Sequence, residues 1–225
     1  MSEIAFLGLD TETTGLDPVN DHLLEIAVVA FDRALRPLAS FGCLFFTPET
    51  ERIISTRGDG MHEIPREMHE KTGLWDDLQS LAEEDRPAKL EWHDENLCLE
   101  LDGLFRSYGT PERKLAILGN SSHFDRRFLE ARLPNLLGHF SHRHIDPSGI
   151  LETLRAVDPA KATIIEAGFE TSVEFEQFEA AVSDQQQHRA HYDVHRSAAL
   201  LRYLWRVVDF ASFFPLFIYP NAKES

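Results

Sequence analysis

Asp10 and Glu12 stand two residues apart at the end of an apolar run. Side chains two apart on a strand point to the same face, so the two carboxylates converge on one point. Paired anions repel each other unless a cation lies between them, and hard oxygen donors of this kind suit Mg²⁺ or Mn²⁺. The tripeptide alone is also a common solvated strand end. Asp125 adds weight to it. It follows the apolar stretch Leu115–Leu118 and the turn Gly119-Asn120-Ser121, at the opening of a helical pattern. Functional side chains collect at such places in α/β folds, although a lone aspartate there can also simply complement the helix dipole. His188 and Asp193 lie five residues apart, the histidine just before the last helical pattern and the aspartate in its first turns. His191 and His195 are near alternatives for the imidazole. Four carboxylates and a histidine from three segments form a combination much rarer than any of its parts.

The elements that must carry these groups read as an α/β order. Ile4 to Asp10, Leu23 to Phe31 and Leu38 to Phe46 are apolar runs bounded by turn-formers and predict three consecutive strands. Helical spacing covers Trp75–Leu81 and Leu97–Phe105, then a short strand Leu115–Leu118, then helical spacing again from Phe124 to Leu133. Pro147 to Val157 predicts another helix, with proline in its first turn. The last helix carries Val194, Ala198, Leu201 and Trp205 on one face. Asp158 to Gln187 is acidic and reads as an ordered insertion or a loop over the site. The charge run Glu83 to Glu95 reads as a solvated loop or helix face. Gly15 is expected to serve the backbone geometry of a tight turn.

The 225 residues fit one globular domain, expected over residues 1–209, with residues 210–225 as a tail. The tail is apolar from Phe210 to Tyr219 but too short to span a bilayer and broken by Pro215, so it is expected to pack on the domain or on a partner subunit. No membrane segment is expected. A net charge of −16 excludes a broad basic surface for a long duplex. Cys43 and Cys98 cannot build a disulfide framework, and charged residues at Glu3 and Asp10 interrupt any signal-like apolar core, so the expected compartment is the cytoplasm. His139, His142 and His144 lie close together, but without cysteines or a standard ligand spacing they do not read as a zinc site.

Asp10-Thr11-Glu12-Thr13-Thr14-Gly15-Leu16, Glu25-Ile26-Ala27, Asp125-Arg126-Arg127-Phe128-Leu129 and the His188 to Asp193 pair together resemble the sequence blocks of the DEDDh exonucleases. Arg189 occupies the place where a related branch carries tyrosine, which excludes that branch. The resemblance implies a ribonuclease H-like mixed sheet flanked by helices and a 3′→5′ exonuclease that hydrolyses phosphodiesters with two Mg²⁺ or Mn²⁺ ions. It further implies that Asp10, Glu12, Asp125 and Asp193 hold the metal and that His188 is the general base.

Within that class the chain is most similar to the oligoribonuclease branch, through Gly119-Asn120-Ser121 and Arg143-x-x-Asp146-x-Ser148. That likeness implies short single-stranded RNA 3′ ends as substrate, a homodimer, and substrate contacts from Leu16, His69, Ser121, Arg143 and Ser148. Leu16 reads equally as a packing residue. Ile64 and His142 stand where that branch has a tryptophan and a tyrosine. The first block also resembles proofreading exonucleases that trim DNA, so a DNA substrate stays open. A catalytically silent scaffold of the same fold is the third reading.

Overall fold

The computed structural model describes residues 3–183 and 188–208. The tail and the dimer contact expected of it lie outside the described residues. In chain order the elements are β1 (Phe6–Thr13), β2 (Leu23–Phe31), β3 (Pro37–Leu44), α1 (Glu51–Ser55), α2 (Glu63–Lys71), α3 (Leu74–Glu84) and α4 (Leu90–Tyr108). There follow β4 (Leu115–Leu118), α5 (His123–Arg132), α6 (Pro134–Leu137), β5 (Phe140–Ile145), α7 (Pro147–Val157), α8 (Pro159–Phe169), α9 (Val173–Ala181) and α10 (Ala190–Val207). The strands form one mixed sheet in the order β3-β2-β1-β4-β5, with β1 in the centre. β1, β2 and β3 pair antiparallel, while β1–β4 and β4–β5 are parallel.

The two faces of β1 pack into different cores, as its period of two requires. Leu7 and Leu9 join Ile26, Val28, Phe128 and Leu129, so this face is covered by α4 and α5. On the other face Ala27, Val29, Phe31 and Leu118 pack against Ala190, Val194, Ala198 and Leu201 of α10. Close approach of α10 depends on Gly8, because a Cβ there would fall 2.4 Å from Val194 Cγ1. The carboxylate one residue before Val194 is thereby brought against β1.

Several boundaries differ from the sequence reading. β1 continues to Thr13, so Glu12 lies inside the strand. β5 escapes an apolar-run criterion because its middle is Ser-His-Arg-His on an exposed sheet edge. The described part of the stretch after Asp158 is helical, with Asp158 and Ser172 capping α8 and α9 through their side chains. Both helices bury apolar residues against α7 and α10: Ile165 and Phe169 of α8 and Phe175 of α9 join Leu151 and Leu154 of α7 and Leu204 of α10. Trp205 departs from the packed face: it is 46% exposed and leans on Phe6 at 5.8 Å between ring centroids. Among the described residues no helix is long and apolar enough to cross a membrane.

Candidate active site

The site forms at the C-terminal end of β1, where the two faces of the sheet meet. Asp10 and Glu12 project toward α10, and Asp193 in its first turn meets them. One oxygen from each of these three carboxylates lies within 4.8 Å of the others. Asp125 comes from α5 on the opposite face. Thr11 holds it there, donating its backbone N–H and its hydroxyl to Asp125 Oδ1 at 2.9 and 2.8 Å. Asp125 is buried, at 3% exposure.

Such a concentration of anions is costly in a partly buried place, and the titration of each group records that cost. Burial, then the charges of Asp125, Glu12, Asp193 and Glu25, push the Asp10 carboxyl well above the usual range. Glu12 rises for the same kinds of reason, burial first and Asp193 next, with Arg189 pulling against it. Burial also raises Asp193, while His188 and Arg196 oppose the rise. Asp125 is pushed up to about 7 by burial, against the two hydrogen bonds from Thr11. Three hard-oxygen donors that repel one another at one point, with Asp125 behind them, have the character of a divalent-cation site, and the donor set fits Mg²⁺ or Mn²⁺. Of the expected ligands, Asp10, Glu12 and Asp193 converge on one point, and Asp125 is set behind them, bonded to Thr11.

His188 borders the same cleft, half exposed, with Nδ1 3.9 Å from Asp193 Oδ2. Its φ of +60° lies in the left-handed region, unusual for a histidine. Of the rival imidazoles, His195 is turned away onto Phe31, with ring centroids 5.7 Å apart, and His191 lies beside it at 4.7 Å.

The cleft has a volume of about 700 Å³. Asp10, Glu12, Asp193 and His188 form its chemical end; Leu16, His62, Ile64, Met68, Phe124 and Arg127 form walls. Leu16 is 77% exposed at this mouth, which removes the packing alternative. Gly15 beside it does not have a positive φ; glycine is needed for space, because a Cβ would meet the Asp21 carboxylate at 2.5 Å. Arg127 is the only lysine or arginine among the described residues that line the cleft, against Asp10, Glu12, Asp17, Asp21 and Asp193.

The other expected substrate residues are placed differently. His69 is fully buried and cannot touch substrate as expected; its Nε2 lies 2.8 Å from the Thr13 carbonyl and its Nδ1 3.7 Å from Glu12. It braces the strand that carries the carboxylates. Ser121 and Ser148 meet at Asp146, which accepts the Ser121 backbone N–H at 3.1 Å and the Ser148 hydroxyl at 2.6 Å. Arg143 is exposed on β5 in the same region. These three do not line the cleft itself.

The sequence reading assigned no role to Thr11 and Arg189. The first sits between the two acids of the motif and the second directly follows His188, and that adjacency was the available signal.

The sequence profile of the exonuclease family (RNase_T) matches residues 7–201. The chain belongs to this exonuclease family. It is a DEDD-class 3′→5′ exonuclease, a phosphodiester hydrolase. The exonuclease is 30% identical to the oligoribonuclease of Ralstonia nicotianae over 195 residues, 87% of this chain and 74% of that one. It is 34% identical to the oligoribonuclease of Colwellia psychrerythraea over 155 residues, covering 67% of this chain and 75% of the relative. In fold the exonuclease is similar to exonuclease I of E. coli, solved with zinc and single-stranded DNA, with a TM-score of 0.51 at 13% identity. That match covers 96% of this chain and 43% of the other, so the exonuclease spans less than half of that protein. The mixed sheet flanked by helices is therefore the ribonuclease H-like arrangement.

Proposed function

We propose that this exonuclease removes nucleotides from the 3′ ends of short single-stranded RNA and releases nucleoside 5′-monophosphates. One observation carries the reading: the carboxylate cluster, His188 and the exposed Leu16 share a single cleft of about 700 Å³. That volume lies in the range of small-ligand sites and suits a few nucleotides better than a long strand. The oligoribonucleases of Ralstonia nicotianae and Colwellia psychrerythraea, 30 and 34% identical, support RNA as the substrate class.

Asp10, Glu12 and Asp193 would hold Mg²⁺ or Mn²⁺, with Asp125 completing the set, and the bound cations would supply an activated water and stabilise charge on the leaving 3′ oxygen. The side chains of the chain do the rest. His188 has Nδ1 turned to Asp193, which leaves Nε2 to take a proton from the attacking water. Leu16 wedges against the terminal bases from the mouth of the cleft. Ser121 and Ser148, which meet at Asp146, and the exposed Arg143 of β5 bind the 5′ phosphate of a short substrate, the guanidinium through paired hydrogen bonds. A homodimer completes this reading, and sedimentation at micromolar concentration should show one.

DNA is the second reading, favoured by the Thr11-Glu12-Thr13-Thr14-Gly15 form of the first block. Ile64 is 83% exposed on the cleft wall and offers no aromatic face for a base. Mononucleotide release from matched RNA and DNA oligomers, with Mg²⁺ or Mn²⁺ and then with EDTA, tests both. Faster release from RNA is expected; faster release from DNA moves the assignment to a DNA-directed exonuclease, and no release in any cation leaves a silent scaffold.

A further inference from the structure

Glu12 and Glu25 are in-register partners across β1 and β2 and lie on the same face. Like charges directly opposite each other destabilise a strand pair. Arg189 answers that repulsion. Its Nε donates to Glu25 Oε2 and its Nη2 to Glu25 Oε1, both at 2.9 Å, a two-pronged pair in which the side chains are only 17% and 14% exposed. The Ala190 backbone N–H adds a third bond to Glu25 Oε2 at 3.2 Å. The other arm of the guanidinium, Nη1, reaches Asp77 Oδ2 on α3 at 2.6 Å. One side chain is thus fixed from β2 and from α3.

The peptide so fixed is the one that carries His188. Arg189 is the N-cap of α10, and its carbonyl accepts the Asp193 N–H at 3.0 Å. His188 precedes it at φ +60°, a conformation that persists in a non-glycine residue only where the surroundings over-determine it. We propose that Arg189 is a positioning residue: its fork on Glu25 and Asp77 sets the backbone at which His188 takes a proton from the attacking water. This rests on His188 being the general base. By pairing with Glu25, Arg189 also sets a positive charge against the carboxylates, opposing the rise of Glu12.

The test is a cycle of R189A, H188A and the double variant on a short RNA oligomer, with Mn²⁺ affinity measured by calorimetry on metal-stripped protein. R189A should lower kcat on the order of 10²-fold with KM little changed, as expected for a misplaced catalytic group. The double variant should be no slower than H188A, because a displaced base and a missing base cost the same thing. Mn²⁺ affinity in R189A should be equal or higher, since the freed Glu25 adds negative charge. R189K keeps the charge without the planar fork and should recover only part of the rate; it replaces R189A in the cycle if that variant does not fold. Losses that multiply in the double variant, or Mn²⁺ affinity that falls in step with kcat, overturn the inference alone and make Arg189 a support of the fold or the metal. Full activity in H188A overturns the general-base reading and the inference with it.

Discussion

Thr11 donates its backbone N–H and its hydroxyl to the same oxygen of Asp125, at 2.9 and 2.8 Å, across 114 residues of chain. The two bonds hold down the pKa of a buried carboxylate that still rises to about 7. Thr11→Val keeps the shape and loses the hydroxyl, worth about 1.5–3 kcal/mol to a charged acceptor. The pKa of Asp125 should rise further. Activity at neutral pH should fall roughly tenfold and recover in part at alkaline pH. A pH profile unchanged from the parent would show that the hydroxyl does not tune Asp125.

Asp10 is the carboxylate whose titration feels Asp125, Glu12, Asp193 and Glu25 together, so it is the hub of the cluster. Asp10→Ala should cost several kcal/mol of transition-state stabilisation, at least about 10³-fold in rate, and chelator should do the same to the parent. Mononucleotide release is the measurement. Near-normal release from the variant would remove the metal reading.

Stability should depend on pH in opposite senses with and without cation. Asp10, Glu12, Asp125 and Asp193 have raised folded-state pKa values, so in the metal-free protein they contribute stability that is complete in acid and is lost as the pH rises through the folded value, about 7 for Asp125. Histidines lowered by burial, such as His69 and His195, pull the other way up to their ordinary 6.5. The comparison that isolates the carboxylates is therefore Tm with Mn²⁺ minus Tm with EDTA. That difference should grow as the pH passes from 5 through about 7, because the cation must displace protons. A difference that is flat over this range would mean the carboxylates do not bind the ion.

Gly8 lets α10 close on β1, since a Cβ would sit 2.4 Å from Val194 Cγ1 and 2.9 Å from Phe31. Gly8→Ala should destabilise the protein by about 1–3 kcal/mol through overpacking and lower kcat as Asp193 moves off Asp10. Gly8→Ala combined with Val194→Ala should regain part of both in thermal denaturation and rate. If the second substitution only adds to the damage, the contact is not the cause.

Arg143 separates short from long substrates if it grips a 5′ phosphate. Arg143→Ala should slow 5′-phosphorylated oligomers of a few nucleotides far more than 20-mers. Equal losses on both lengths would refute the phosphate grip and leave the cleft without a means of measuring length.

The sequence by itself determined the central strand and the α10 helix, because both rest on short-range periodicity, whereas Asp125 and His188 were singled out by their resemblance to the DEDDh blocks and not by spacing. Asp10 and Glu12 must share a face at a period of two, and Asp193 and Val194 must enter a helix whose apolar stripe is continuous. Only the tertiary structure decided what lies opposite or across. Glu25 meets Glu12 through strand register, Asp125 of α5 meets Thr11 of β1, and His69 is buried behind Glu12 where sequence placed it on substrate. The helices after Asp158 carried legible caps at Asp158 and Ser172, but their packing on α7 and α10 was not. Register, approach and burial depend on contacts between residues far apart in the chain, which no local spacing encodes.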